Sequence, residues 1–330
     1  MENRSFSSLG KIRAIDALYE GCGFPRGERL SFPADDCTVH TAQALLLEGI
    51  DFNLEYFPLK HLGYKSAIVV TGMLYAQRAV PQSLGVRLGI SSKLDFEQIR
   101  ELWTGLVTAA KEHGFTQVDL DLAPSLNGLA ISLCATGYRG RLAERLDPKP
   151  RSKDLVCVSG ALGAAYLGQQ ALERKMKELE PYRMIVGSYL KPELEAGIPE
   201  RLGPGHVAPS AGYFVFRGLS DALKRLCRET GLGVKVYAEK IPFEGNSFEL
   251  GKKLNIDPVS AAFNGGDDCR LLFTIPILQL EEFRKEFPTF DVIGHLAQPE
   301  VGATLVLPTG AELPVTAQGW PEEEPQTSDN

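Results

Sequence analysis

Two glycines, two carboxylates and a cysteine, Asn264-Gly265-Gly266-Asp267-Asp268-Cys269, run directly into the apolar stretch Arg270-Leu271-Leu272-Phe273-Thr274. A glycine-rich turn at the end of a strand has the backbone freedom to hold acids beside a site. Other carboxylates also come in pairs. Asp35 and Asp36 follow Pro33-Ala34, and Asp119 and Asp121 alternate along Val118-Asp119-Leu120-Asp121-Leu122, so the strand period of two puts both on one face. Like charges this close repel unless they are solvated, hydrogen-bonded or bridged by a cation, and a solvated face is the simplest of the three. Val156 to Gly163 reads as a strand running into a small-residue turn and then a helix. The free amides at such a helix start can hold an anion, although a tight packing turn explains the same residues more simply.

Other chemistries lack their motifs. There is no G-x-x-x-x-G-K-[ST], and no G-x-G-x-x-G sits between a strand and a helix, since Gly21-Cys22-Gly23 lacks that context. His40, His61, His113, His206 and His295 show no H-x-x-x-H spacing, and no serine is flanked as in G-x-S-x-G. The six cysteines form no C-x-x-C pair, which supports neither a disulfide framework nor a zinc site and fits reduced thiols. With 35 basic and 42 acidic residues interspersed, the net charge of -7 offers no surface for nucleic acid. No apolar run approaches the length of a membrane span and no signal pattern opens the chain, so a cytoplasmic location without membrane attachment is expected.

The elements that must position the carboxylates alternate between strand and helix. Strands are predicted at Ala44–Leu47, Leu84–Ile90, Val118–Leu122 and Leu129–Leu133, with helices over about 59–78 and 95–112, the latter closed by Gly114. In the second half a helix follows Gly163 to about Glu178, and another has Ser220 as N-cap and Gly231 after its last turn. Strands are predicted at Val234–Ala238, Leu271–Ile275, Asp291–Ile293 and Thr304–Leu307. The polar, proline-bearing stretch Leu146–Lys153 marks a boundary, which gives an N-terminal α/β domain over 1–150 and a C-terminal α/β domain over 151–320. Residues 321–330, acidic and without apolar period, read as a disordered tail.

The Gly-Gly-Asp-Asp segment resembles the Gly-Gly-Glu-Asp-Tyr-Glu-Leu-Leu-Phe-Thr signature of thiamine-monophosphate kinases. So do Leu46-Leu47-Glu48-Gly49-Ile50-Asp51-Phe52, Pro58 to Lys65, Ser159 to Tyr166, Lys240-Ile241-Pro242 and Ala317-Gln318-Gly319-Trp320, in order from about Phe6 to Trp320. The resemblance implies a two-domain aminoimidazole ribonucleotide synthase-like fold, α/β with α+β layering, whose N-terminal domain pairs strands across a homodimer. It also implies ATP-dependent phosphoryl transfer to thiamine monophosphate, with magnesium ions on an aspartate cluster screening the phosphates. By the same resemblance Asp36 and Asp121 fall on metal-ligand positions. Ala44, Met73, Ala208 and Ala211 stand where the family has further aspartates. Asp121, Arg145 and Ser210 fall on the nucleotide side, and Asp51, Asp267 and Trp320 on substrate positions. Alanine and methionine offer Mg²⁺ no oxygen, so the expectation is a retained fold with kinase chemistry lost or severely weakened and ATP and Mg²⁺ binding reduced. The competing expectation is an active kinase that recruits Asp51, Asp119 or Asp35 as replacement ligands.

Overall fold

The computed structural model of the chain describes residues 10–24, 27, 29–203 and 205–317. Trp320 and the tail 321–330 lie outside them. Helix α1 (Lys11–Tyr19) is followed by β1 (Ser31–Pro33), β2 (Cys37–Leu47), α2 (Leu59–Ala76), β3 (Val80–Ser91), α3 (Phe96–Glu112), β4 (Gln117–Ser125), β5 (Ala130–Gly140) and the short α4 (Arg141–Arg145). These strands form one sheet in the order β1-β2-β5-β3-β4. Strands β2 and β5 pair antiparallel over their full length, from Cys37 opposite Gly140 to Leu47 opposite Ala130. The β3–β4 pair is parallel, and α3 supplies the crossover such a pair requires. Asp95 starts α3 with a capping box, in which its side chain accepts from the Gln98 amide and Gln98 reaches back to the Asp95 amide.

The second sheet lies beyond residue 150. Its elements are β6 (Leu155–Val158), α5 (Ala164–Glu173), α6 (Arg183–Leu190), β7 (Ala211–Val215), α7 (Leu219–Thr230), β8 (Gly233–Tyr237), α8 (Ser247–Leu254), α9 (Pro258–Asn264), β9 (Arg270–Ile275), α10 (Leu280–Glu286), β10 (Asp291–Ala297), β11 (Ala303–Val306) and β12 (Glu312–Pro314). The strand order is β12-β11-β8-β10-β6-β9-β7. The mixed α/β architecture agrees with the fold class read from the sequence. Two details differ. Helix α5 ends at Glu173, not near Glu178, and the N-cap of α7 is Gly218, whose φ of 88° favours glycine. Ser220 lies inside that helix and donates to Asn264 Oδ1 at 3.1 Å.

Helix α2 holds the two sheets together. It is buried from Leu62 to Ala76 except at Met73, which is half-buried, and it packs against the first sheet, α3, β7 and β9. Burial on all sides is why the β-branched run Ile68-Val69-Val70 stays helical: tertiary packing outweighs its small propensity cost. The buried hydroxyls of Ser66 and Thr71 are satisfied by the carbonyls of Leu62 and Ala67, each at 2.7 Å. Two glycines set the close approach of α2 to α3. A Cβ on Gly63 would lie 1.8 Å from the Leu102 carbonyl oxygen, and one on Gly105 would lie 1.8 Å from that of Lys60.

Candidate functional site

A cleft of about 1080 Å³ opens between the sheets. Its floor is the C-terminal part of α2, with Met73, Ala76 and Gln77. One wall is β2 from Thr41 onward, and the opposite wall is β7 with Tyr213, Phe214 and Phe216, the first turns of α7, and the Asn264–Asp267 turn. Among the described residues β1 pairs with β2 only over Thr38–His40, and β2 from Thr41 onward lines the cleft. Gly72 lets the floor form, because a Cβ there would lie 2.1 Å from the Phe214 ring.

The paired glycines have separate steric reasons. A Cβ on Gly265 would meet the Tyr166 side chain at 2.4 Å, and Gly266 adopts a φ of 81°. Asp267 and Cys269 follow with φ of 65° and 53°, and together they turn the two carboxylates in opposite directions. Asp267 faces the cleft, and its Oδ2 lies 3.4 Å from the Nζ of Lys65. Its side chain is 14% exposed, and burial raises its carboxyl pKa despite the neighbouring Lys65 and Arg217. Asp268 points inward and is fully buried, accepting the Gly163 amide at 2.8 Å and the Ala165 amide at 3.2 Å. The amides at the helix start after Val156–Gly163 are therefore taken by the chain's own Asp268 carboxyl. Burial pushes its carboxyl pKa up to about 7, even though these two amides favour the ionised form.

Every carboxylate on the described lining of the cleft has a cationic partner. Asp51 is buried, pairs with the Arg217 guanidinium and accepts the Leu47 amide at 2.7 Å. Asp221 pairs with Lys11 at 2.5 Å and with Arg225 Nε at 2.8 Å. Asp267 faces Lys65, a buried cation whose Nζ stands 3.9 Å from the Tyr189 ring centroid. Ala44 and Met73 line the cleft and present only apolar atoms.

The other residues picked from the sequence lie elsewhere. Asp36 is exposed in the β1–β2 turn, eight residues along the strand from Ala44, roughly 26 Å at 3.3 Å per residue. Asp121 is on the edge strand β4, and both it and Asp119 face Arg87, at 3.7 and 2.8 Å. One chain thus does not bring Asp36 and Asp121 to a common site or to this cleft. Arg145 is exposed at the end of α4. Ser210 is buried, donating to Asp154 at 2.6 Å and meeting the Thr274 hydroxyl at 2.8 Å. Ala208 is half-buried with its amide on Gln279 Oε1, and Ala211 is buried at the start of β7.

Sequence reasoning passed over Arg29, Arg78 and Arg217. Arg29 bonds the Gly212 carbonyl, meets Glu229 at 3.1 Å and stacks 4.3 Å from the Tyr213 ring centroid. Arg217 stacks 4.6 Å from Phe216 while it holds Asp51. Arg78, with a φ of 59°, bonds the Pro209 carbonyl and pairs with Asp147 at 3.0 Å; burial and the nearby Arg139 lower its pKa to about 10. The one available signal was the position of Arg217, between the apolar run Tyr213–Phe216 and Gly218.

No family-level sequence profile matches the chain. Among proteins of known function it is similar to thiamine-monophosphate kinases. It is 24% identical to that of Aquifex aeolicus over 233 residues, 70% of this chain and 74% of the relative. The identity is 24% over 290 residues with that of Synechococcus elongatus, covering 83% and 84%, and 27% over 246 residues with that of Pyrococcus horikoshii, covering 74% of each. In fold it matches the solved structure described as AaThiL complexed with AMPPCP and TMP, with a TM-score of 0.79 at 20% identity over 95% of this chain and 97% of that one. The hydrogenase maturation protein HypE in complex with ATP follows at a TM-score of 0.61 and 13% identity, over 89% and 88%. Ordered motifs from Leu46 to the Gly-Gly-Asp-Asp turn, matches of 24 to 27% identity along most of the chain and a shared two-sheet fold make the chain similar to thiamine-monophosphate kinases in sequence and fold.

Proposed function

We propose that the chain is a thiamine-monophosphate kinase homologue in which phosphoryl transfer is lost or severely weakened, and that its cleft serves as a binding or regulatory site for a nucleotide or a thiamine phosphate. The observation that carries this reading is the charge state of the cleft. Its described carboxylates, Asp51, Asp221 and Asp267, are each neutralised by a basic side chain, while Ala44 and Met73 are apolar. Among the described residues no three His, Cys, Asp or Glu side chains are disposed to share a metal ion. This donor set does not fit the magnesium cluster that the family resemblance implies, and no reaction step is assigned to such ions here.

The magnitude matters. Two phosphate charges about 4 Å apart repel by about 4 kcal/mol at an effective dielectric near 20, and each 1.4 kcal/mol left in a barrier costs about tenfold in rate. A site without screening ions keeps that barrier. Replacement ligands are poorly supplied, because Asp51 is engaged by Arg217, Asp119 by Arg87, and Asp35 is exposed in the β1–β2 turn. The reading includes a division near residue 150 and a homodimer formed through the first half. An assay with ATP, Mg²⁺ and thiamine monophosphate tests it: thiamine diphosphate is expected to stay at the level of the protein-free control. Turnover near ordinary kinase rates, about 1 per second or more, would overturn it.

A further inference from the structure

Helix α1 stands at the rim of the cleft, where its Lys11 is a lining residue, and its own sequence does little to keep it folded. It is nine residues long, and no side chain caps its N-terminus. Lys11 and Arg13 stand in its first turn, where a positive charge opposes the helix dipole. Helices this short are marginal in water by themselves. Apolar packing adds little, because only Ala14 is buried, Ile12 and Ile15 are half-buried, and Leu18 is 72% exposed. What α1 docks on is a charged face of α7. Lys11 meets Asp221 at 2.5 Å, and Asp16 meets Arg228 at 2.6 Å. Asp221 and Arg228 are two turns apart on α7 and so lie on one side of it. Asp16 and Arg228 remain 47% and 27% exposed. Ion pairs in such positions are individually weak and are screened by salt.

We propose that α1 is a detachable wall of the cleft: it folds onto α7 through Lys11–Asp221 and Asp16–Arg228, and when those pairs are screened it leaves α7, unwinds and opens the cleft on that side. The inference does not depend on what the cleft binds or on whether phosphoryl transfer survives. Docking and helix formation are one event here, since neither the local sequence nor apolar burial sustains α1 away from α7. The partner helix is built differently. Helix α7 buries Leu219, Ala222, Leu223 and Leu226 against the second sheet's core, so it stays in place when α1 leaves. Asp221 keeps Arg225 as a partner at 2.8 Å, so the remaining wall carries no new unpaired acid. The strap is therefore an order–disorder element set on a rigid base, and ionic strength is the variable that moves it.

Hydrogen exchange of the full chain, read by mass spectrometry in about 50 mM and about 500 mM NaCl, tests the proposal. The amides of Ala14 to Tyr19 are expected to exchange at least about fivefold faster at the higher salt, measured against an unstructured peptide in the same buffers, while those of α2 and α7 keep their rates within about twofold. Asp16→Arg should give the fast rate already at low salt, and adding Arg228→Asp should restore protection by exchanging the two charges. Arginine is a better helix former than aspartate, so faster exchange in the single variant reports undocking and not a weaker helix. Access to the cleft is read on Ala44→Cys, since Ala44 lines it. Alkylation at position 44 by N-ethylmaleimide, located by peptide mapping apart from the native cysteines, should quicken at higher salt in step with α1. Salt-independent exchange in α1, equal acceleration in α7, no rescue by the exchanged charges, or faster α1 exchange with unchanged alkylation at position 44 would overturn the proposal.

Discussion

At the residue scale, the Gly-Gly-Asp-Asp turn shows how two adjacent acids take opposite tasks. Asp267 is left at the cleft and Asp268 is drawn in to cap α5, because Asp267 and Cys269 take left-handed backbone on either side of Asp268. Burial raises the Asp268 carboxyl from the ordinary carboxylate range to about 7, so between about pH 4 and 7 the folded chain holds a proton there that the unfolded chain releases. The sign follows: this group's contribution to stability is greatest below the unfolded pKa and is lost as pH rises through about 7. Chemical denaturation of the wild type and of Asp268→Asn at several pH values isolates the group. The stability difference should move in favour of the variant from pH 4 to 7, by an amount on the order of 1 kcal/mol or more. A difference that stays flat across that range would show that the two amides hold Asp268 ionised throughout. The sequence placed both acids at a turn beside a strand, but it could not show which one the turn sends inward, since that depends on a helix about a hundred residues earlier.

At the element scale, the first sheet has one covered face and one bare face. Helices α2 and α3 cover the side carrying Leu84, Val86, Leu88, Ile131 and Leu133, all buried. The opposite side carries Leu45 and Leu47, 53% and 38% exposed, together with the small residues Gly85, Gly89, Ser132 and Cys134. Apolar and small residues on an uncovered sheet face suit close packing against a second sheet, and a two-fold axis supplies that sheet from an identical chain. Light scattering should therefore report a mass near twice 36.1 kDa, and a monomer at micromolar concentration would remove the homodimer from the proposed function. Most of these elements were legible from period and punctuation. Each predicted strand overlaps an observed one, with Leu129, Ala238 and Leu307 lying one residue outside, and the helix expected over 95–112 is α3 with Asp95 as its cap. Strand ends were less legible, because β2 and β5 extend each other by pairing and neither sequence alone shows how far. The Ser220 expectation failed for a related reason. A good capping residue stood two positions too late, and Gly218, with its positive φ, began the helix instead.

At the scale of the whole molecule, the cleft exists because α2 packs between the two sheets and Gly72 admits Phe214 against it. The family signature was readable as motifs in order. The resemblance implies aspartates where Ala44 and Met73 stand, and the structure puts both residues on the cleft lining. What could not be read was the compensation. Arg217 reaches Asp51 across 166 positions of sequence, and Arg29 reaches Gly212 across 183, and no local pattern encodes such pairs. The central claim is that this arrangement has exchanged a metal-binding cleft for one neutralised by its own side chains. Counting divalent ions tests it most directly, by Mn²⁺ paramagnetic resonance titration of the full chain, alone and with AMPPCP corrected for the free nucleotide. The account predicts no stoichiometric ion bound to the protein with a dissociation constant on the order of micromolar. Two or more ions held per chain at that affinity would contradict it.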